Sequence, residues 1–542
     1  MRFKIFLLLI PALVLTLAAP THAWWFEYTT PEVNMPIATD PDIYEGYPHA
    51  FPYPDGSTLV VFNTSEVNNC YQIIDRFGDF KYQEPQRLLP ALYCSQLYAA
   101  HVVTDGCGGV IAVWCNGGTG PDEGFYAQRL DSLGNLMWGD SGVSFYPGLH
   151  TSLFGIASDG QGGVFGAFSF AGDLRAQHID ISGQFTWGEE GIVVCDYEDV
   201  QTHPRAVRDD QGGAYFTWED FRGSNWGDIY MQRVDEFGNT LWNPDGLLIY
   251  DGNPWLNELI PDGEGGFILH CGSGGYNTAY RIAPDSHILW ECYGVSWHAY
   301  AKIIEGDPGY FYLGFTWEYG YWGQWMDMEG NCYWPTYPSG RMGALLARKE
   351  DWHFNTHYNF GYRNPYFYGV YNFREPPTYT THYLWAQRLN ADGDRMWGED
   401  GTLISVRTAT NGEYIFSNVT PDTEGGAAVV FEISCPHDVW AKHVNDNGSL
   451  GGPNPQVRPF ELYPQISSVS EGYIQYEIPE AGQVNIELYN LLGKRVTTIQ
   501  AGYHQPGKYT THIDQSSLSS GIYFLRLHTP TGSNVSKMVV MR

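Results

Sequence analysis

The sequence predicts an all-β chain: a β-propeller of about eight four-stranded blades followed by a small antiparallel β-sandwich. Three observations predict it. A unit of about fifty residues recurs along most of the chain, its last copy lacks a strand that the N-terminal region supplies, and the repeat stops at a Gly- and Pro-rich stretch beyond which the composition changes.

The repeat is clearest in "DDQGGAYFTWEDFRGSNWGDIYMQRVDEFGNTLW", Asp209 to Trp242. Its grammar is a Gly-Gly turn, an aliphatic and aromatic run, a variable loop, an Ala-Gln-Arg-like run, Asp-x-x-Gly and then Trp. Gly108/Gly109, Gly162/Gly163, Gly212/Gly213 and Gly265/Gly266 mark four copies 54, 50 and 53 positions apart, and Gly425/Gly426 marks a later one. Two degenerate copies fill the gap, from Gly306 and from Tyr368, and a worn first copy begins at Pro54. Each unit parses into four short strands, with glycine supplying the positive φ of tight hairpins. Four antiparallel strands at such a period describe a propeller blade.

The last unit ends before its Trp and fourth strand, while "NMPIATDPDIYEGYPHAFPYPDG" near the N-terminus resembles a fourth strand and the first strand after it. One blade built from both ends would close the ring and remove its open edges. Eight blades is the first reading; seven holds if one degenerate unit is an insertion, and "DWHFNTHYNFGYRNPYFYGVYNF" reads as an inserted aromatic run. Trp138, Trp187, Trp242, Trp290, Trp334 and Trp397 recur at one place in the repeat, as blade-to-blade packing demands. The adjacent Gln and Arg at 128/129, 232/233 and 387/388 face opposite sides of the sheet, and one of each pair can tie neighbouring blades.

Residues 1–23 have the pattern of a secretory signal peptide cut after Ala23, with Arg2 and Lys4 ahead of an apolar run. No other apolar run is long enough to span a bilayer. The propeller is placed at 24–452, a linker at 453–458 and the C-terminal domain at 459–542. The net charge of −32 resides in the propeller, because the residues from Arg458 onward are near neutral. Such an acidic chain would repel nucleic acid and anionic membranes. The nine cysteines show no CxxC pair and no zinc spacing; export permits disulfides, whose pairing the sequence leaves open.

Catalytic signatures are absent: there is no HExxH, no phosphate loop, no G-x-S-x-G elbow and no Asp-box of the sialidase kind. His353 and His357 would share a metal only on a helix. No cofactor is expected, although calcium would suit the acidic loops "TDPDIYEG" and "NDNGS", neither of which has full EF-hand spacing.

The loops between second and third strands emerge on one face and are rich in aromatic and polar groups, the combination that stacks and orients a sugar or peptide. Trp218, Asp220, Arg222 and Trp226, then Trp317, Trp322 and Arg374, are the candidate ligand-binding residues. Asp220 and Arg222 could equally form an ion pair that locks the loop.

The C-terminal segment alternates strongly and turns about every ten residues, predicting a sandwich. Its motifs "YEIPEAG", "VNIELYNLLGKRV", "GYHQPGKYTTHID", "LSSGIYFLRL" with Gly521 and Tyr523, and the terminal "KMVVMR" with Lys537 carry a resemblance. The segment resembles the C-terminal sorting domain of the bacterial type IX secretion system, type A, itself similar to the immunoglobulin-like domain of hook-capping proteins. The usual Tyr-Pro-Asn-Pro opening is reduced here to Tyr463-Pro464-Gln465. The resemblance implies recognition by the type IX machinery and release to, or attachment at, the outer surface of a Gram-negative cell. With it, the sequence is read as an exported module that binds a glycan or protein; the alternatives are a propeller hydrolase or lyase acting on polysaccharide, and a structural surface component.

Overall fold

A computed structural model describes Trp25 and residues 28–540, apart from 40–42, 66–67, 90–99, 117–123, 148–153, 171, 224–226, 253–256, 274–275, 297–301, 318–319, 335–342, 350–351, 355–357, 409–413, 435–436, 452–464, 471–472, 479–481, 491–494, 506, 514–517, 519–520 and 530–531. The signal peptide and the linker expected from the sequence lie outside the described residues. The chain folds as two units, 1–453 and 454–542.

Among the described residues, the first unit contains eight antiparallel sheets in chain order. Blade four is representative: Gln201–Arg208, Ala214–Asp220, Asp228–Val234 and Leu247–Tyr250 pair in sequence order. Blade eight consists of Tyr414–Pro421, Ala427–Ser434 and His437–Val444, and its fourth strand is Met35–Ala38, with Met35 opposite Ala441 and Pro36 opposite Trp440. The ring is therefore closed by strands from opposite ends of the unit, and the blade count is eight.

Blade seven corrects one sequence expectation. The aromatic stretch read as an insertion supplies this blade's inner edge: His353–Phe354 and Asn359–Arg363 both pair with Tyr366–Arg374. Its aromatics are packing groups. Tyr358 and Phe360 are buried against Tyr312, Tyr321 and Phe367, with Trp352 and Tyr362 at the margin.

An apolar cluster fills each interface between neighbouring blades, from Leu59, Trp114 and Tyr126 between blades one and two to Val60, Phe62, Val430 and Val439 between blades one and eight. Alternation explains this: both faces of each second and third strand are covered, so these strands read as apolar throughout. The repeated Trp closes the interface with its ring and a hydrogen bond. Trp138 Nε1 donates to Ile181 O at 3.1 Å, Trp187 to Glu236 O at 3.1 Å and Trp397 to Asp446 O at 3.1 Å, each in the next blade.

The Gly-Gly turn has a local cause. Asp105 Oδ1 accepts from the amides of Cys107 and Gly109, both at 2.7 Å, while Gly108 takes a φ of +90°. A Cβ on Gly109 would collide with the Leu130 carbonyl. The neighbouring Gln ties its own blade and touches the one before: Gln128 Nε2 donates to Gly139 O at 2.7 Å and to Leu88 O, just past the last strand of blade one, at 3.3 Å, and its Oε1 accepts from Trp138 N at 3.1 Å. The Arg makes the tie between blades, as Arg281 Nη1 to Met328 O at 2.9 Å shows.

In the second unit, Gln465–Ser470, Tyr473–Ile478 and Gly507–His512 form one sheet, and Arg495–His504, Gly482–Asn490, Gly521–Thr529 and Gly532–Val540 form another in that order. Ile474 and Tyr476 of the first pack with Val484, Ile486, Leu525 and Leu527 of the second. Tyr523 belongs to this core, and Lys537 stands opposite Phe524 in the last strand pair.

Candidate functional site

The first strand of each blade is innermost, so equivalent positions on the eight strands form layers around the channel. One layer is fixed by register. It lies opposite the residue four places after the second residue of the Gly-Gly turn: His49 opposite Val61, His101 opposite Val113, Gly155 opposite Ala167 and Arg205 opposite Thr217. Around the other half stand Glu258 opposite His270, Lys302 opposite Gly314, Asn359 opposite Val370 and Asn418 opposite Val430. The second-strand partners are mostly small or apolar, whereas the channel layer is polar in every blade but one. At the exception, a Cβ on Gly155 would come within 2.6 Å of Arg205 Cα, so glycine lets the inner strands of blades three and four approach closely.

Between blades three and seven this layer opens into a cavity of about 330 Å³ lined by Ile156, Arg205, Glu258, Lys302, Ile303 and Asn359 among others. Glu258 Oε2 accepts from the Ile303 amide at 3.0 Å, and Arg205 Nη1 donates to the Pro204 carbonyl at 3.0 Å. Lys302 Nζ reaches Asn359 Oδ1 at 3.5 Å, Asn359 Nδ2 donates to Asn418 Oδ1 at 2.8 Å, and Asn418 Nδ2 to Pro48 O at 2.5 Å. Burial pushes the Glu258 carboxyl up, against the pull of Lys302 and Arg205. Burial also lowers His49 and His101 to about 4, helped by His101 and Lys302 for the first and by Arg205 for the second. Near neutral pH the layer therefore carries two cations, one carboxyl group and neutral imidazoles.

Two positions above this layer, toward the face that carries the second-to-third-strand loops, the inner strands are strained. Tyr47 and His203 have φ of 51° and 48°, each directly ahead of a proline in a bulged strand. Non-glycine residues held in this region cost of order 1–3 kcal/mol and cluster at functional sites. The Tyr47 ring lies 4.7 Å from that of Phe416, at the equivalent position in blade eight, and Tyr47 is 39% exposed. Tyr47 is held by its amide, which donates to the buried Glu432 carboxylate at 2.8 Å.

A second cavity, about 430 Å³, is lined at the other end of the first strands by Thr104, Asp159, Arg208, Asp210 and Glu305 among others. The one arginine among its described lining residues is already engaged, bonding Asp210 at 2.8 Å and Glu305 at 2.9 Å.

The candidates named from sequence do not converge on either cavity. Trp218 is buried, its Nε1 donating to Asp220 Oδ2 at 2.8 Å, and Trp322 is buried against Phe315 and Leu345. Neither presents a face for stacking, because the alternation of a doubly covered strand turns it inward. Asp220 and Arg222 form the ion pair, at 2.7 Å, and Arg222 lies between the rings of Tyr197 and Tyr230 at 4.3 and 4.1 Å while bonding Asp245 O at 2.8 Å. That clamp locks the loop. Arg374 is half-buried at the end of a blade-seven strand. Trp226 and the side chain of Trp317 lie outside the described residues. His353 stands in a strand, which removes the helical spacing a shared metal needed, and His357 lies outside the described residues. Asn445 and Asn447 of "NDNGS" bond Ser449 within their own turn. Among the described residues no group of three or more His, Cys, Asp or Glu is placed to hold a metal ion.

Sequence reasoning missed the channel layer. A signal was available: the layer residue stands four places before the turn Asp, as His101 before Asp105, Arg205 before Asp209 and Glu258 before Asp262.

Fold and tail together define an exported propeller protein. Residues 468–541 match the family of the secretion system C-terminal sorting domain. This tail addresses the chain to the type IX secretion machinery, and the protein is secreted or attached at the cell surface. No helix among the described residues is long and apolar enough to cross a membrane. Comparison with curated proteins returns no match. Solved structures with similar folds include prolyl oligopeptidase B from Galerina marginata, at 12% identity over 76% of this chain and 56% of that one with a TM-score of 0.42. They include the BP39L lectin from Burkholderia pseudomallei, at 12% identity over 66% and 98% with a TM-score of 0.38. A PL25 ulvan lyase matches at 11% identity over 63% and 91% with a TM-score of 0.32. Scores this low carry no argument about what this chain does.

Proposed function

We propose that the propeller is an exported binding module that takes a glycan or protein ligand at the channel. The observation that carries this reading is the 330 Å³ cavity, at the lower end of the usual size for ligand pockets, where Arg205, Lys302 and Asn359 supply hydrogen-bond donors at one level of the fold. The exposed, strained Tyr47 beside Phe416 adds an aromatic surface two positions above the same layer, on blades one and eight, and Arg374, Trp226 and Trp317 stay as candidates for the rim. A screen of the mature full-length protein against glycans and extracellular proteins tests the reading. Binding lost in a folded Arg205→Gln/Lys302→Gln double variant supports it; a ligand that binds the double variant with unchanged affinity overturns it.

A second reading, a polysaccharide hydrolase or lyase, has one observation in its favour: Glu258, a half-buried carboxyl group that faces the cavity and that desolvation pushes up. Hydrolysis by the usual route needs a second carboxylate across the sugar, and among the described residues no other carboxylate lines this cavity. Mass spectrometry of each bound glycan after incubation decides between the two, cleavage that disappears in Glu258→Gln being the mark of the enzyme.

A further inference from the structure

The charge balance of the channel cavity is the reverse of the chain's. The protein carries 61 acidic and 29 basic side chains. Arg129, Arg222, Arg233 and Arg281 each close an ion pair with an aspartate within 3 Å. Arg205 and Lys302 do not: among the described residues neither forms an ion pair, although both flank Glu258 closely enough to act on its carboxyl group. Arg205 feels the carboxyl groups of Glu258 and Glu219, and Lys302 that of Glu258, yet neither cation closes an ion pair and both face the cavity, which leaves donors there for one further negative group.

Resting on the binding-module reading, we infer that this cavity binds the carboxylate of an acidic sugar, with Arg205 and Lys302 as its charge partners and Asn359 as a neutral donor. The sugar, rather than an acidic peptide, is favoured by the surroundings. Asn359 and Asn418 form a relay of amides from Lys302 to Pro48 O, and the residue before Pro48, Tyr47, presents a partly exposed ring beside Phe416. Amides bond hydroxyl groups and a flat ring stacks on the apolar face of a pyranose, so acid group, hydroxyls and ring face all find partners along one path. The cavity has room for one sugar residue at the level of the cations. Glu258 lies between them and opposes the ligand's charge, holding the affinity down.

The experiment is titration calorimetry on the mature full-length protein with sodium galacturonate, galactose, and an N-acetylated tripeptide of neutral residues carrying a free C-terminal carboxylate. Galacturonate is expected to bind saturably and galactose at least about tenfold more weakly, the scale of one fixed charge interaction in a partly buried site. Arg205→Gln and Lys302→Gln each lower galacturonate affinity by a similar factor. Glu258→Gln, nearly the same shape, raises it, a change that general loosening of the fold would not produce; thermal unfolding verifies that each variant is folded. Equal binding of galactose and galacturonate, with loss in the arginine variant, overturns the acidic-sugar assignment and leaves the binding module standing. Preference for the peptide overturns it in favour of a protein ligand. Galacturonate binding that none of the three substitutions alters, or no binding of any probe, overturns the inference, and the wider screen then decides the binding reading on its own.

Discussion

Arg129 closes onto Asp105 across blade two, its Nε 2.9 Å and its Nη2 2.8 Å from the same carboxylate oxygen, while the other oxygen holds the Gly-Gly turn. Arg233 with Asp209 and Arg281 with Asp262 repeat the lock, and histidine replaces arginine at His178 with Asp159 and His443 with Asp422. Asp105 is fully buried, so Asp105→Ala leaves an uncompensated cation and two unpaired amides, a change expected to cost about 3–5 kcal/mol. Asp180→Ala, in an exposed turn of similar geometry, is expected to cost about 1 kcal/mol. Thermal unfolding of both variants checks the ranking, and equal shifts would contradict it.

The Trp ties between blades lead to a graded expectation. Trp397 is buried between blades seven and eight, and its Nε1 bonds Asp446 O in the next blade. Trp397→Phe keeps most of the ring and loses the bond, costing about 1–2 kcal/mol, while Trp397→Ala adds a cavity and costs about 3–5 kcal/mol. Because blade eight holds the strand that closes the ring, the Ala variant should also expose the 28–38 segment to limited proteolysis before the rest of the propeller. Uniform digestion would refute that link.

The Gly-Gly turn and the repeated Trp were legible in the sequence because each depends on a residue type that must recur, whereas the Asp that holds the turn and pairs with the Arg was not singled out there. Only glycine fits at Gly109, only a short acceptor reaches both amides from Asp105, and only a large ring fills the gap at Trp138. Ring closure was legible too, since a blade short of one strand leaves an edge that something must cover. The channel layer was not, because His49, Arg205, Glu258 and Asn418 share a position and no chemistry. A channel wall requires only polarity, so its identity drifts from copy to copy and only its spacing, four places before the turn Asp, recurs. Trp218 and Trp322 misled for the opposite reason: they stand beside variable loops, yet their strand alternation places them in the interior.

The histidine locks make stability depend on acid. Burial pushes the Asp422 carboxyl up, but the hydrogen bond and charge of His443 and the amides of Glu424 and Gly426 outweigh it and hold the group below the usual carboxylate range. A carboxyl depressed in the folded state contributes stability that is fully present above its unfolded value, near pH 4, and is lost as pH falls through the folded value. The contribution is about 1.4 kcal/mol for each unit of depression. Urea unfolding between pH 5 and 2 should therefore show a steeper acid loss in the native protein than in Asp422→Asn, with the curves converging at the acid end. Parallel curves would show that the pair makes no such contribution.

The last expectation concerns export. Cys292, in the outer strand of blade five, and Cys332, in the turn before the last strand of blade six, are free thiols packed on the same apolar cluster as Trp290 and Met326. Each thiol acts on the other: Cys292 pushes the Cys332 thiol up, and Cys332 draws the Cys292 thiol down. An exported chain passes through an oxidising compartment, where thiols this close form a disulfide by exchange with a dithiol oxidant: the two cysteines give up two protons and two electrons, and the oxidant's own disulfide is reduced to thiols. The bridge would join neighbouring blades and close a loop of about forty residues, stabilising the ring by about 4 kcal/mol through the unfolded state. Mapping of the protein purified from culture medium without reductant should yield the two cysteine peptides joined, and Cys332→Ser should lower the unfolding temperature in the absence of reductant only. Recovery of both peptides alkylated as free thiols would mean that the pair stays reduced and that packing alone holds this interface.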